Sequence, residues 1–363
     1  MNLLEYYQSQ HPNNEYFVPR KCIIPQDGDI NLYGVRSSGK TSVALDLLSE
    51  QDEKVSLYID FNDPNLILNA LTTLILQQYI DKESITLLIL DHYRHGLLSA
   101  FPNVQRLIVL SRIALPEKSL LGIKLFPLDY EEFLAFENTS YGNKGFNHFL
   151  RVGTLPQLAR SGKSSTQVMK IFFYSSFSES EQKLLLILAQ HHTKHLTTHQ
   201  IYTFAKEKFK VSKDWLYKTM KSFTEEGVTL FIDDKHEKSG KKMLLFDFAF
   251  AKYLTLGQPF IIQFDTMIAL ALKKHNIEVK TLSIHGYVTN KDELIIPAPF
   301  ESEESLWIKS HKKFSLFKKY GIQKVTIVTI TNSYEFKIEK LFFEALPFDE
   351  WSVINTEEEE LFP

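Results

Sequence analysis

Gly34-Val35-Arg36-Ser37-Ser38-Gly39-Lys40-Thr41 follows an apolar run at 29–33 (DINLY) and leads into a helical pattern, SVALDLLSE, from Ser42. The spacing fits G-x-x-x-x-G-K-[ST], and a strand before it with a helix after it is the context in which that pattern forms a phosphate-binding loop. The chemistry explains the residue types. Gly34 and Gly39 let backbone N–H groups curl around phosphate oxygens, and the helix N-terminus adds partial positive charge. Lys40 is placed to neutralise β- and γ-phosphates, and Thr41 to offer its hydroxyl to Mg2+. Ser37, Ser38 and Ser42 complete the set expected against the nucleotide. ATP and Mg2+ are therefore the expected cofactors.

Working outward, the runs 29–33, 54–59 (KVSLYI), 85–90 (ITLLIL) and 106–110 (RLIVL) are apolar on both faces. Such runs suit a parallel sheet covered by helices, so the expected fold is α/β and doubly wound. Asp91 ends LLILD, where a carboxylate at a strand tip beside the loop holds magnesium, often through water. His92 follows it, where many ATPases of this shape carry a glutamate that orients the attacking water. On that reading, hydrolysis is weakened, and glutamate at 92 is expected to raise turnover. Asp60, at the tip of the second strand, is a candidate base or a turn cap in YIDFNDP. Ser111 is a candidate γ-phosphate sensor or a plain turn residue. Arg112 and Arg106 are candidate arginine fingers or exposed salt-bridge partners.

The chain has 363 residues, enough for two or three domains. Hydrophobic residues make up 44% and charged residues 23%, as in an ordinary globular protein. The net charge of -3 gives no global attraction to nucleic acid, so any such binding needs a local basic face. One cysteine, Cys22, excludes an intrachain disulfide framework and a cysteine-built zinc site. MNLLEYYQSQHPNNEY lacks the basic start and apolar core of a signal peptide. No segment stays apolar over the roughly 20 residues of a membrane-spanning helix. The expectation is a cytoplasmic protein with no membrane partner.

Beyond a polar stretch at 160–167 (RSGKSSTQ) the pattern turns helical. Ser178 and Glu181 form a capping box before EQKLLLILAQHH. Further helices are expected over 198–209 and 212–226, then short strands over 229–232 and 243–248 joined by DDKHEKSGKK. Three helices and a hairpin predict a winged helix. Its third helix carries Lys213, Lys218 and Lys221, and its wing Lys235, Lys238, Lys241 and Lys242. Clustered lysines there suit DNA backbone contact, or else form a solvated face on a protein-docking module. From 258 a helix (FDTMIALALKKHN), a hairpin (VKTLSIHGYVT, ELIIPAPF), a helix over 302–320 and a strand KVTIVTI predict a small α/β unit. The acidic end EEEELFP reads as a solvated tail.

Two further segments carry a resemblance. FPLDYEEFLAF (126–136) and FLRVGTLPQL (149–158) resemble the PLS-x-x-EF and Gly-Gly-x-Pro segments of a prokaryotic AAA-type P-loop ATPase family. That family carries a P-loop domain, a winged helix and a restriction-endonuclease-like domain. The resemblance implies a P-loop ATPase domain over 1–160, a winged helix over 161–256 and a nuclease-like domain over 257–363. It carries Gly34, Gly39, Lys40 and Thr41 over to nucleotide binding and Asp91 to magnesium. Thr154 stands where that family has its second glycine. Asp129 is expected to cap a helix, with Glu132 bonding back to it. A nuclease of this type needs an acid in its first helix, an Asp on one hairpin strand and Glu-x-Lys on the next. Asp265 fits the helix position, but the hairpin has no mid-strand carboxylate, so a degenerate, non-cleaving domain is expected. The resulting expectation is an ATP-dependent switch acting on an unidentified protein partner. A nucleotide-gated nuclease and an ATP-binding scaffold without turnover are the alternatives.

Overall fold

The apolar runs become strands of one sheet in the computed structural model, which describes residues 3–12, 17–137, 143–160, 165–235, 240–283 and 285–353. Lys238, residues 161–164 of the polar stretch, residues 13–16 and the tail EEEELFP lie outside the described residues. By contacts the chain forms two units, Met1–Pro127 with Glu225–Gly227, and Leu128–Thr224 with Val228–Pro363.

The first unit contains α1 (Leu3–Ser9), β1 (Ile30–Tyr33), α2 (Lys40–Ser49), β2 (Ser56–Asp60), α3 (Thr73–Glu83), β3 (Leu87–Tyr93), β4 (Arg106–Ser111) and β5 (Leu121–Lys124). Its sheet runs β2-β3-β4-β1-β5, with every neighbouring pair parallel. Successive residues of each strand enter opposite layers. Leu87 and Ile89 of β3 pack with Ile108 and Leu110 of β4 and with Val43, Ala44 and Leu48 of α2. Leu88 and Leu90 pack with Leu107, Val109, Leu76 and Ile80 on the other side. This two-sided burial is why the strands are apolar throughout. Parallel strands also bring their C-terminal ends to one edge, so Tyr33, Asp60, Asp91 and Ser111 share it. Two elements exceed the expectation: α1, and β5, whose half-exposed LGIK carries little signal.

The second unit opens with α4 (Tyr130–Glu137), α5 (Asn143–Val152), α6 (Pro156–Ala159) and α7 (Ser165–Ser176). Asp129 Oδ1 accepts from Glu132 N at 2.8 Å, and Glu132 Oε2 accepts from Asp129 N at 3.1 Å, so the pair caps α4 reciprocally. Lys274 pairs with both carboxylates. The chain continues through α8 (Glu179–Gln190), β6 (His195–Leu196), α9 (Thr198–Lys208), α10 (Lys213–Glu226), β7 (Thr229–Ile232) and β8 (Lys241–Leu245). The strands form an antiparallel sheet ordered β6-β8-β7. Then follow α11 (Phe248–Tyr253), α12 (Phe260–Lys274), β9 (Val279–Thr281), β10 (Tyr287–Thr289), β11 (Glu293–Pro297), α13 (Glu303–Lys319), β12 (Lys324–Thr329), β13 (Tyr334–Ile338) and β14 (Leu341–Pro347). Their mixed sheet is ordered β13-β14-β12-β11-β10-β9. The segment VKTLSIHGYVT, expected as a single hairpin strand, is two antiparallel strands, β9 and β10.

The Gly153-Thr154 pair has a packing reason. Gly153 has φ 82°, and a β-carbon there would run into the Asp247 carboxylate. Asp247 is fully buried and accepts from Thr154 N at 2.5 Å, Thr154 Oγ1 at 2.6 Å and Phe250 N at 2.6 Å, the last capping α11. Asp247→Ala leaves these buried donors unmatched and removes a cap. It should destabilise the second unit by at least about 2 kcal/mol, read by denaturant unfolding. A loss below about 0.5 kcal/mol, the ordinary range for a surface change, would contradict this account of the carboxylate.

Candidate functional site

The loop between β1 and α2 is shaped by its glycines. Gly34 has φ 149°, and the Leu125 carbonyl just past β5 leaves no room for a β-carbon. Ser37 at φ 62° and Gly39 at φ 99° are both left-handed, which turns successive N–H groups toward one concavity. Arg20 fastens the loop from outside, donating to Ser38 O and Phe126 O at 2.8 Å each. The Ser38 hydroxyl is buried with no hydrogen-bond partner among the described residues. Ser42 sits exposed on the first turn of α2.

Lys40 Nζ folds back onto the loop, donating to Gly34 O at 2.8 Å and Val35 O at 3.0 Å. Burial lowers its pKa to about 8, opposed by the charges of Glu226 and Asp91. Thr41 Oγ1 donates to Asp91 Oδ2 at 2.8 Å, and Tyr58 OH donates to the same oxygen at 2.8 Å. Burial and the Asp91 charge hold the Tyr58 phenol protonated, far above its ordinary range. Asp91 is 2% exposed, and its other oxygen accepts from His92 N at 2.6 Å. Parallel register makes this possible, since Asp60 of β2 lies opposite Asp91 of β3.

Register also pairs two residues that the sequence treats separately. His92 Nδ1 donates to Asp60 Oδ1 at 2.7 Å, and Asp60 also accepts from Asn62 N at 2.8 Å. The Asp60 bond holds the His92 imidazole above its usual range, against the effect of burial. Burial pushes the Asp60 carboxyl up, but its hydrogen bonds from His92 and Asn62 outweigh it and hold the group below the usual carboxylate range. His92 has φ 53°, at an irregularity in the β3–β4 register between Leu90 and Tyr93. A left-handed conformation costs a non-glycine residue some backbone strain. A glutamate at 92 would set its carboxylate against Asp60.

The other candidates fall into place around this centre. Ser111 is buried at the tip of β4, where its hydroxyl accepts from Asn31 at 2.8 Å and donates to Ile113 O at 2.6 Å. Arg112, exposed beside it, adds to the positive field at Lys40. Arg106 does not reach the site. It starts β4 at the opposite end of the strand and donates to Pro25 O at 2.5 Å. Arg36, inside the motif, is 8% exposed and grips Glu226 bidentately, through Nε and Nη2 at 2.6 Å each. Nothing in the motif's spacing foretold that partner.

These residues fit a nucleoside triphosphate with Mg2+. The left-handed loop, the buried and unmatched Ser38 hydroxyl and the Lys40 ammonium suit phosphate oxygens. Mg2+ is held by few protein groups together with phosphates and water, and Thr41 with Asp91 supplies a hydroxyl and a carboxylate 2.8 Å apart. Bound there, the ion would neutralise charge on the phosphates.

In the second unit, Asp265 on α12 is held by Lys242 Nζ at 2.6 Å and Tyr287 OH at 2.7 Å. Lys242 is thus 11% exposed and turned inward, and Lys235 bonds Asp292 at 3.4 Å. Neither presents its ammonium to phosphates as the wing reading expects. Lys241 is exposed and paired with Asp233. Lys213, Lys218 and Lys221 are exposed on α10, with Lys213 lying over the Tyr217 ring. Among the described residues no group of three or more His, Cys, Asp or Glu side chains is placed to hold a metal ion, and no helix is long and apolar enough to cross a membrane.

The first unit has the α/β fold of a P-loop NTPase: a parallel sheet ordered 5-1-4-3-2, with the glycine-rich loop after β1 and the acidic strand tip on β3. No family model matches the chain, and no curated protein does. Among solved structures it is similar to the Walker-type ATPase PABY2304 of Pyrococcus abyssi, with TM-score 0.43, 13% identity, and 64% of this chain and 92% of that chain covered. It is also similar to a chain of Drosophila ORC bound to DNA, with TM-score 0.23, 11% identity and coverage of 67% and 90%. Both likenesses are remote, and the fold assignment rests on strand order and loop.

The lowered Lys40 pKa has a consequence for binding. A triphosphate restores the cation, so the loaded pKa exceeds the free one. Affinity for Mg-ATP should be full below about pH 8 and fall about tenfold per unit above it, with proton uptake on binding. Calorimetry in two buffers of different ionisation enthalpy measures that uptake. An affinity constant from about pH 7.5 to 9.5 would contradict it.

Proposed function

We propose that the chain is an ATP-binding AAA-type ATPase working as a nucleotide-dependent switch. In this reading the P-loop domain acts on a winged helix, built from α8, α9, α10 and the β6–β8 sheet, and on the C-terminal α/β domain. The observation that carries it is the Arg36–Glu226 pair. Arg36 belongs to the phosphate loop, and Glu226 is the last residue of α10. Both are buried, and Glu226 also acts on Lys40. A carboxylate in that position competes with incoming phosphates for the same two cations. A triphosphate and a diphosphate differ in how strongly they compete, and only such a difference shifts a conformational equilibrium.

Partners follow from the same reading. Lys218 and Lys221 lie three residues apart, on one face of α10, as backbone contact to DNA requires. DNA is therefore proposed as a partner through α10, with an unidentified protein partner beside it, in the cytoplasm.

Glu226→Gln removes the competing charge and should tighten Mg-ATP binding about fivefold or more. In the unaltered protein, hydrogen exchange over residues 221–227 should be faster with Mg-ATP than with Mg-ADP. Equal exchange in both nucleotides, with unchanged affinity in Glu226→Gln, would remove the switch and leave a nucleotide-binding scaffold.

A further inference from the structure

A cavity of about 560 Å³ lies in the second unit, lined by α12, the end of β11, α13 and the side chains of His195 and Lys242. Small-molecule sites run from roughly 300 to 1,000 Å³. One wall is a stripe on α13. Leu306, Ser310, Lys313 and Phe317 all line the cavity, at the spacing of a single helix face. Leu306 and Phe317 are buried apolar residues, as such a stripe requires. Ser310, between them, is only 2% exposed, and Lys313 is half-buried. Polar groups at core-facing positions are normally matched. The other lysines and the carboxylates of the wall are matched. Lys242 holds Asp265 at 2.6 Å, and Lys309 pairs with Glu301, which also accepts from Ser305 Oγ at 2.7 Å. His195 bonds Thr281 Oγ1 at 2.9 Å, and burial favours its neutral ring. The Lys313 ammonium and the Ser310 hydroxyl make no hydrogen bond or ion pair among the described residues. Burial and the charge of Lys309 both work against the Lys313 cation, while Glu301 attracts it. Ile262, Ile296 and Phe300 give the cavity an apolar side, and the Phe300 ring, 72% exposed, packs on Phe260 with centroids 5.4 Å apart.

We propose that this cavity binds a small organic monocarboxylate, with its carboxylate on Lys313 and Ser310 and its apolar body against Ile262, Ile296 and Phe300. Charge balance sets the class. One unmatched ammonium in a wall of matched pairs calls for one negative charge. A phosphate dianion would bring a second charge up against Glu301 and Asp265, and like charges in a partly desolvated cavity repel strongly. A neutral ligand would leave the ammonium unmatched and bury it further. A carboxylate has two oxygens, so it can accept from the ammonium and the hydroxyl at once. The apolar side then selects for an aromatic or aliphatic body over a bare anion. Every lining residue belongs to the second unit, so the site does not depend on the ATP-binding reading.

Calorimetric titration of the full chain with 4-phenylbutyrate, octanoate and indole-3-acetate tests the assignment. At least one should bind at a single saturable site with a Kd below about 1 mM. Acetate, which lacks the body, and the primary amide of the bound acid, which lacks the charge, should each bind at least about tenfold more weakly. Lys313→Met keeps an apolar stem and removes the ammonium. It should weaken the carboxylate about tenfold or more, with a thermal midpoint unchanged or raised, because the lost charge had no partner. Ser310→Ala should weaken the same ligand about threefold or more, and Lys40→Ala should leave it unchanged. Failure of all three carboxylates to bind below about 10 mM would overturn the proposal. So would carboxylate affinity in Lys313→Met equal to that of the unaltered protein. Tighter binding of phenyl phosphate, or of a single-stranded oligonucleotide, lost in Lys313→Met, would also overturn it and assign the cavity to a phosphate ligand.

Discussion

The Asp91 carboxylate ties three elements together at one point. Thr41 on the first turn of α2, Tyr58 on β2 and the backbone of His92 at the end of β3 all donate to it. At 2% exposure, the carboxylate depends on these donors to replace the water it has lost. The same three bonds set the height of α2 above the sheet, and with it the curl of the phosphate loop. They also fix the strand end from which His92 turns back toward Asp60. The glycine-rich loop, the Thr41 hydroxyl and the histidine pair thus share one anchor.

Around that anchor the loop balances opposing charges. Lys40 and Arg36 are both withdrawn from solvent, which is costly for a cation without compensation. Carbonyl oxygens of Gly34 and Val35 compensate Lys40, and Glu226 compensates Arg36. In the proposed switch, incoming phosphates compete with these groups for the two cations. That competition is what would give a nucleotide leverage over Glu226 in the proposed switch.

Much of this was legible in the sequence. The motif at 34–41, the two-sided apolar strands and the terminal position of Asp91 follow from local pattern, because parallel strands between helices must be apolar on both faces. The reciprocal cap of Asp129 and Glu132 was also local. What the sequence concealed is what depends on register and on distance along the chain. Asp60 and His92 were each visible as candidates, but only the Asp60–Asp91 register makes them a pair. Glu226 lies 190 residues from Arg36, and no local pattern joins them. The lysines of the presumed wing read as a basic surface, yet Lys242 is turned inward to Asp265 by packing that composition does not reveal. The strands β13 and β14 were passed over, although Tyr334-Glu335-Phe336-Lys337-Ile338 alternates as an edge strand does.

The central claim is that this loop holds the phosphates of ATP through Lys40. Calorimetric titration of Mg-ATP into the unaltered protein and into Lys40→Ala tests it most directly, with unchanged circular dichroism confirming that the variant is folded. The account predicts saturable binding to the unaltered protein and an affinity at least about tenfold weaker for the variant, the loss expected for a charged hydrogen-bond donor. Equal affinities in the two folded proteins would contradict it.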